Sequence, residues 1–382
     1  MSVATLNPRE TAYIAQKIYD IRSANDVSRI FLEGSDLKFS INNESKFDGL
    51  SGGVFLTAKT GFGIAARGKG EFEGDALIAI RGTDTLFDGI TDAYVGNLYP
   101  STTGKMVHSG FNKVFLSFKQ ELETFFSQFS PRRVHCVGHS LGGAVATLVA
   151  EWVDVHGMGE PVLYTFGSPR VGVASFAGYL TGRLNDNNIY RVYHKTDPVS
   201  MVPIWPFTHV PLPGTECYIE KPGVFAPSMH KMSKYIASVS NKETWDGMKR
   251  NRPVENSDKV IEAWLNARGP APMTHFNMIL LQQALSYVLK KVLYLTGVSL
   301  QALLGGAANF LDILAMAFEK AAKISSEVAD HIKNLMRRIL SMLGMVVDNV
   351  KDITASFIRW ALFKFAQAVY QLARTAIHLA NS

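Results

Sequence analysis

A serine with small neighbours stands in the segment Arg133–Ala150, RVHCVGHSLGGAVATLVA. At its centre, Gly138-His139-Ser140-Leu141-Gly142 fits the pattern Gly-x-Ser-x-Gly. The apolar run before it predicts a buried strand, and the residues after it predict a helix. A strand, this pattern and a helix, in that order, form a nucleophile elbow that presents the serine hydroxyl above a sheet edge. We therefore predict that Ser140 is a nucleophile, placed at the positive end of a helix.

A serine hydroxyl is a weak nucleophile at neutral pH, so Ser140 needs a base and the base needs an orienting acid. On an elbow of this kind the chain order is Ser, then Asp or Glu, then His. Asp197 follows a predicted strand and precedes Pro198, which makes it the candidate acid; a turn-initiating aspartate is the alternative. Three histidines that follow it are candidate bases: His209, His230 and His275.

The elements that must position these residues alternate between strands and helices. Residues 8–22 predict an amphipathic helix, and a turn at Gly68-Lys69-Gly70 leads to a strand, Ala76–Ile80, that is apolar on both sides. Val162–Phe166 and Ile189–Tyr193 predict two more buried strands. This alternation predicts an α/β fold with a mostly parallel sheet flanked by helices, which binds its ligand at the carboxyl ends of the strands.

The composition excludes several other classes of protein. A hydrophobic content of 47% and a charged content of 19% indicate a folded chain. Two cysteines do not make a disulfide scaffold, and they fit folding under reducing conditions. The first residues lack the basic and apolar regions of a secretory signal, so we expect synthesis in the cytoplasm. Phosphate-binding loops, zinc spacings and dinucleotide fingerprints do not occur, so we expect no cofactor, no metal and no nucleic acid partner.

The composition changes close to Pro272. All 15 prolines lie at or before this residue, and from Met273 onward 11 Lys and Arg residues stand against 6 Asp and Glu. We therefore predict an α/β domain over residues 1–255 and an all-helical tail over residues 256–382. The basic excess of the tail suggests an anionic surface, such as a membrane, as its partner.

Two segments of the tail favour different partners. From Val328 to Val346 apolar residues recur in steps of four and three, with Lys333, Arg337 and Arg338 between them. This pattern predicts an amphipathic helix that packs on its neighbours or lies on an anionic membrane. Val292–Leu311 carries no charge over 20 residues, long enough to span a bilayer, but its polar residues favour a buried helical hairpin.

Six segments of the chain resemble the class 3 lipases in content and order. They are RGTDTLFDGITDA, VHSGF, VGHSLGGAVATL, TFGSPRVG, RVYHKTDPVSMVP and MHKMSKYI, within roughly residues 50–240. The resemblance implies an α/β-hydrolase fold and hydrolysis of lipid acyl esters. It also implies that Asp197 is the acid, that His230, at the start of MHKMSKYI, is the base, and that Thr83 supplies one oxyanion donor. The N–H of Leu141, directly after the nucleophile, would supply the other. His108 and His139 are expected to support the site by packing and hydrogen bonding.

We therefore expect a serine lipase or phospholipase; the alternative is a membrane-active helical toxin in which hydrolysis is secondary. The chain also resembles, more weakly, lipase effectors that bacteria export by contact-dependent secretion. That resemblance implies export without a signal peptide and a partner protein for immunity or secretion. The segment Thr85–Pro100, where relatives carry a lid, looks short. We accordingly predict that the tail covers the cleft in water and docks on anionic phospholipid through Lys333, Arg337 and Arg338.

Overall fold

The computed structural model describes residues 4–22, 27, 38–51, 58–82, 98–212, 215–220, 223–248, 250–251, 256–297, 310–345, 350 and 353–381. Within these ranges nine strands form a large sheet in the order β1-β3-β4-β7-β8-β10-β12-β13, with β2 also paired to β3. Its strands are β1 Phe39–Ser40, β2 Lys46–Ser51, β3 Ala58–Gly68, β4 Ala76–Ile80, β7 Arg133–His139, β8 Glu160–Phe166, β10 Ile189–His194, β12 Thr215–Ile219 and β13 Arg250–Asn251.

The five central strands β4, β7, β8, β10 and β12 are mutually parallel, and the outer strands β3 and β13 run antiparallel to them. This is the mostly parallel sheet that the sequence predicts. Four short strands form a separate antiparallel sheet: β5 Leu98–Pro100, β6 Met106–His108, β9 Gly172–Val173 and β11 Phe207–Thr208.

Helices cover both faces of the large sheet, because its central strands are apolar on both sides. In β4, Ile78 and Ile80 enter one core and Leu77 and Ala79 enter the other. The helices of the α/β part are α1 Pro8–Lys17, α2 Ser109–Ser127, α3 Leu141–Val155, α4 Ala174–Leu184 and α5 Met232–Val239. Helix α1 continues as a 3₁₀ turn, Ile18–Arg22, which completes the helical segment predicted for residues 8–22.

The remaining described part of the chain is helical, in agreement with its lack of proline. Its helices are α6 Asp258–Asn266, α7 His275–Thr296, α8 Phe310–Ile324, α9 Ser326–Met342 and α10 Ala355–Asn381. Buried residues of these helices belong to the same apolar core as α2 and α3. The division of the chain after residue 255 stays a prediction, but the two parts share one core.

The predicted use of Arg337 and Arg338 at a membrane is wrong. Both side chains lie on α9 and are buried, with exposed fractions of 7% and 5%. Arg337 donates to the backbone oxygens of Leu265 and Ala267 at 2.8 and 2.9 Å, and Arg338 donates to that of Gly269 at 2.8 Å. The two guanidinium groups satisfy carbonyl groups at the end of α6, and their positive charge does not reach solvent. Lys333 is partly exposed, and its Nζ lies 3.4 Å from Oδ1 of Asp330.

No helix in the described ranges is long and apolar enough to cross a bilayer. Much of the uncharged run Val292–Leu311 lies outside those ranges. Its first residues form the end of α7, which stops at Thr296, and Gly297 follows with a left-handed backbone at φ 67°.

Helix α10 packs against two short 3₁₀ turns at the carboxyl end of the sheet, Pro198–Met201 and Pro227–His230. Its inner side is buried along most of its length, from Ile358 to Ile377. The helix therefore covers the two turns and is held in place, because its detachment would expose its apolar side to water.

Candidate active site

Ser140 lies at the junction of β7 and α3, at the centre of the parallel sheet. Its backbone has φ 56° and ψ −132°, a strained conformation for a residue with a side chain. The turn is tight: a Cβ on Gly138 would lie 2.2 Å from the oxygen of Gly142, and a Cβ on Gly142 would lie 2.2 Å from the oxygen of Ile80. The two glycines therefore allow the elbow that the sequence predicts.

Asp197 and His230 reach Ser140 from two loops that follow β10 and β12. The Oγ of Ser140 lies 2.8 Å from Nε2 of His230, and Nδ1 of His230 lies 2.8 Å from Oδ2 of Asp197. Asp197 and His230 are fully buried, and Ser140 is 3% exposed. Because a carboxylate only accepts, Nδ1 of His230 carries the proton and Nε2 is free to accept from the Ser140 hydroxyl.

Tyr235 holds the acid in place from α5. Its hydroxyl donates to Oδ2 of Asp197 at 2.6 Å, and the N–H of Val199 donates to Oδ1 at 2.9 Å. Burial alone would raise the pKa of Asp197, but His230, Tyr235 and the Val199 N–H together hold that pKa below its usual value. The carboxylate is therefore charged at neutral pH. Tyr235 has no predicted role, although Tyr235 belongs to the segment MHKMSKYI.

His139 contacts His230, the candidate base, and Tyr19 contacts His139. The ring of His139 stacks on that of His230 with centroids 4.6 Å apart, and its Nε2 lies 2.9 Å from the backbone oxygen of His230. Burial lowers the pKa of His139 to about 3, so the ring is neutral. Since Nε2 must donate to the His230 oxygen, Nδ1 accepts from the hydroxyl of Tyr19 at 2.7 Å.

Tyr19 gives no signal in the sequence because it lies in the N-terminal 3₁₀ turn, 120 residues before His139. Its hydroxyl also lies beside Gly82, where a Cβ would approach it to 2.3 Å. Gly82 thus leaves room for the Tyr19–His139 hydrogen bond.

Of the two predicted oxyanion donors, the structure describes Leu141 but not Thr83. Leu141 is the first residue of α3, so its N–H has no acceptor within the helix and lies directly after the nucleophile. Thr83 lies outside the described residues. Gly82 is the last described residue before Thr83, and a Cβ on Gly82 would lie 3.2 Å from Cβ of Ser140. The end of β4 therefore brings the chain beside the nucleophile.

The other predicted histidines lie away from Ser140. His209 Nε2 bonds to the Ser200 backbone oxygen at 2.7 Å, and the His275 ring lies 5.8 Å from that of Tyr193. His108 caps helix α2, where its Nδ1 accepts from the Gly110 N–H at 3.1 Å, and its ring packs on Phe111. Of the three candidate bases, the structure brings only His230 to the nucleophile.

The described residues contain no group of three or more His, Cys, Asp or Glu side chains that could hold a metal ion. Both cysteines, Cys136 and Cys217, are buried and are not disulfide-bonded. Burial raises the pKa of the Cys136 thiol, which makes it unreactive.

Comparisons with known proteins match the part of the chain that contains Ser140 and Asp197; the family match does not include His230. Residues 77–207 match the family described as Lipase (class 3). Secreted mono- and diacylglycerol lipase A of Penicillium camembertii is 34% identical over 135 residues, which cover 34% of this chain and 43% of that protein. Toxin TseL of Vibrio cholerae is 33% identical over 125 residues, which cover 32% of this chain and 19% of the toxin. The chain thus spans less than half the length of these relatives.

Among solved structures, the triacylglyceride lipase of Rhizomucor miehei is similar with a TM-score of 0.41 and 24% identity, over 55% of this chain and 78% of that one. The family match spans β4, the elbow and the turn of Asp197. Residues 77–207 of this chain are therefore similar to the class 3 lipase family.

Proposed function

We propose that this protein is a serine carboxyl-ester hydrolase that cleaves acyl esters of lipids, with Ser140 as nucleophile, His230 as base and Asp197 as orienting acid. The observation that carries the proposal is the continuous hydrogen-bonded chain of these three side chains, with both links at 2.8 Å, on a strained elbow at a helix N-terminus. The family match over residues 77–207 supports the same chemistry.

The geometry supports a two-step mechanism. His230 Nε2 takes the proton of the Ser140 hydroxyl while Oγ attacks the acyl carbon, and the carbonyl oxygen becomes an oxyanion. We assign the N–H of Leu141 as one donor that stabilises that charge and Thr83 as the second donor. His230 then returns its proton to the leaving alcohol. Water then attacks the acyl-enzyme: His230 takes a proton from the water as its oxygen bonds to the acyl carbon, and His230 returns a proton to Ser140 Oγ as the acid product leaves.

The direct test is hydrolysis of p-nitrophenyl butyrate by Ser140→Ala. We expect loss of turnover by about 10⁶-fold, while near-ultraviolet circular dichroism and the unfolding midpoint stay unchanged. A matched control is Ser168→Ala, since Ser168 is also buried and its hydroxyl donates to the backbone oxygen of Pro169 at 3.1 Å. Normal activity of a folded Ser140→Ala protein would end the proposal.

A pair of histidine variants tests the assignment of the base. His230→Ala should lose as much activity as Ser140→Ala, because residues of one triad act as a unit. His209→Ala should keep turnover within a few fold. An inactive His209→Ala protein beside an active His230→Ala protein would reverse the assignment.

The proposal also states that the ester substrates are lipids. It draws on the name of the Penicillium protein, a mono- and diacylglycerol lipase. Mass spectrometry of the products released from mixed acylglycerols and phospholipids would give the class of lipid and the position of the ester. Release of no fatty acid from either class, by a protein that cleaves p-nitrophenyl butyrate, would restrict the function to small esters.

Export and a protein partner form a separate proposal, which rests on the similarity to TseL, a protein named as a toxin. Under this proposal the chain leaves its producer cell without a cleaved signal and meets an immunity or secretion protein. Expression in the periplasm of Escherichia coli gives a test: the wild-type chain should inhibit growth and Ser140→Ala should not. Equal inhibition by both would favour a helical, membrane-active toxin over an enzyme.

A further inference from the structure

Helices α8 and α10 present an apolar and basic surface on the side of α10 that faces away from the candidate triad. Trp360 on α10 is 41% exposed and Met316 on α8 is 56% exposed. Both side chains line one groove between the two helices, and Phe363 lines it as well. Aromatic and apolar side chains at the surface carry a cost in water unless a partner covers them.

The charges on the two helices are predominantly positive, with five Lys or Arg residues against two acidic residues. Helix α10 contains no Asp or Glu in its 27 residues, and its solvent side carries Arg359, Lys364 and Arg374. Helix α8 adds the exposed residues Lys320 and Lys323, about one and two turns after Met316. Its two acidic residues are engaged: Asp312 pairs with Arg359, and Glu319 pairs with Lys323 and accepts from the Ala355 N–H.

We propose that this surface, the outer sides of α8 and α10 around Trp360 and Met316, docks the protein on an anionic lipid membrane. An indole and a thioether that project between basic side chains match the boundary of such a membrane, with the apolar groups among the acyl chains and the cations at the head groups. A protein partner would need an acidic surface to match a 27-residue helix without one acidic side chain, and in that case the protein would not bind lipid vesicles.

The docking surface is thus proposed on α8 and α10 and not on α9, because Arg337 and Arg338 of α9 are buried. It also connects docking with the candidate site, since the inner side of α10 packs on the turns that carry Asp197 and His230. The docking proposal rests on the proposed function only for its purpose, which is to bring a lipid hydrolase to its substrate. Membrane binding can be measured without hydrolysis.

The experiment uses the full chain with Ser140→Ala, so that the vesicles stay intact. Binding is measured by flotation with phosphatidylcholine vesicles and with vesicles that contain 30% phosphatidylglycerol. We expect binding to the anionic vesicles that weakens at high salt, and a blue shift of tryptophan fluorescence that is absent in Trp360→Phe. Trp360→Ser with Met316→Ser should weaken binding by about tenfold to a hundredfold, since each side chain has about half of its surface to bury.

Matched variants separate the surface from general effects. Leu116→Ser removes an apolar side chain of similar exposure, 50%, from α2 and should leave binding unchanged. Lys320→Gln and Lys364→Gln should each weaken binding to anionic vesicles by about fivefold at low salt. Lys259→Gln, on α6, should not.

Absence of binding to either kind of vesicle would overturn the proposal, and so would binding that the Trp360 and Met316 variants leave unchanged. Equal binding to neutral vesicles would overturn the role of the basic residues. These outcomes are distinct from failure of the proposed function, because hydrolysis of p-nitrophenyl butyrate by the chain with Ser140 intact needs no membrane. That activity should be the same in the Trp360 and Met316 variants as in the wild type.

Discussion

Tyr235→Phe tests how much the candidate triad depends on the hydrogen bonds of its buried acid. Asp197 accepts from the Tyr235 hydroxyl at 2.6 Å and from His230 Nδ1 at 2.8 Å, both at Oδ2, and from the Val199 N–H at Oδ1. Phenylalanine keeps the ring that packs on His194, at a centroid distance of 4.2 Å, so the change removes one hydroxyl and leaves no apolar cavity.

The expected loss of stability follows from the charge on the acceptor. A hydrogen bond to an ionised group contributes about 1.5–3 kcal/mol, so the variant should lose about this much unfolding free energy at pH 7.5. The same loss would raise the pKa of Asp197 in the folded protein towards its usual value. The His194 N–H also loses a weaker acceptor, which was at 3.3 Å.

The loss of unfolding free energy in Tyr235→Phe should depend on pH. Because the folded protein holds the pKa of Asp197 below its usual value, ionisation of this group stabilises the fold above the unfolded-state pKa of about 3.9. That contribution disappears as the pH falls through the folded-state pKa. The difference between wild type and Tyr235→Phe should therefore be largest at neutral pH and should shrink below about pH 4.

The assays are urea unfolding at pH 7.5 and pH 4, and steady-state hydrolysis of p-nitrophenyl butyrate at pH 7.5. We expect kcat to fall about tenfold with KM unchanged, since Tyr235 is buried behind Asp197 and orients it without contacting the substrate. The control is Tyr193→Phe, whose buried hydroxyl donates to Glu216 Oε2 at 2.8 Å. It should lose stability and keep kcat. Wild-type stability and kcat in Tyr235→Phe, or an equal loss of kcat in the control, would refute this reasoning.

Three further predictions concern the elbow, the buried histidines and α9. Gly142→Ala should lower the unfolding free energy by about 1–3 kcal/mol, because the new Cβ meets the Ile80 oxygen; Gly182→Ala, with open space around it, should not. Burial lowers the pKa of His108 to about 4 and that of His139 to about 3, so unfolding free energy should fall as the pH drops from about 6.5 to 4. Urea titrations should give up to about 1.4 kcal/mol per pH unit for each histidine, and a flat profile would contradict this. Arg337→Gln should cost about 2–4 kcal/mol of unfolding free energy and leave vesicle binding unchanged, since its bonds are internal.

The sequence predicts much of the α/β part because its signals are local. Strand β4 occupies the predicted Ala76–Ile80, and the elbow needs only small residues at fixed distances from Ser140. Asp197 directly follows the strand end that brings it to the site. In each case the residues that fix the backbone are neighbours in the chain, so their pattern is visible without the fold.

The missed residues act across long separations. Tyr19 and Tyr235 reach His139 and Asp197 through the packing of α1 and α5 on the sheet, which no local pattern specifies. The error at α9 has a related cause. The apolar period predicts which side of a helix is buried, but burial of Arg337 and Arg338 depends on the chain at residues 265–269, which supplies carbonyl groups to the polar side.

The packing of α10 on the turns of Asp197 and His230 has a consequence for synthesis of the chain. The ribosome makes Ser140, Asp197 and His230 well before residues 355–381, and the interval is about 6–25 s at 5–20 residues per second. During that time the two turns lack the helix that covers them. A nascent chain can therefore carry all three side chains while the contacts that fix their loops are still missing. We expect the hydrogen-bonded triad to reach its final geometry only when the last described helix has docked.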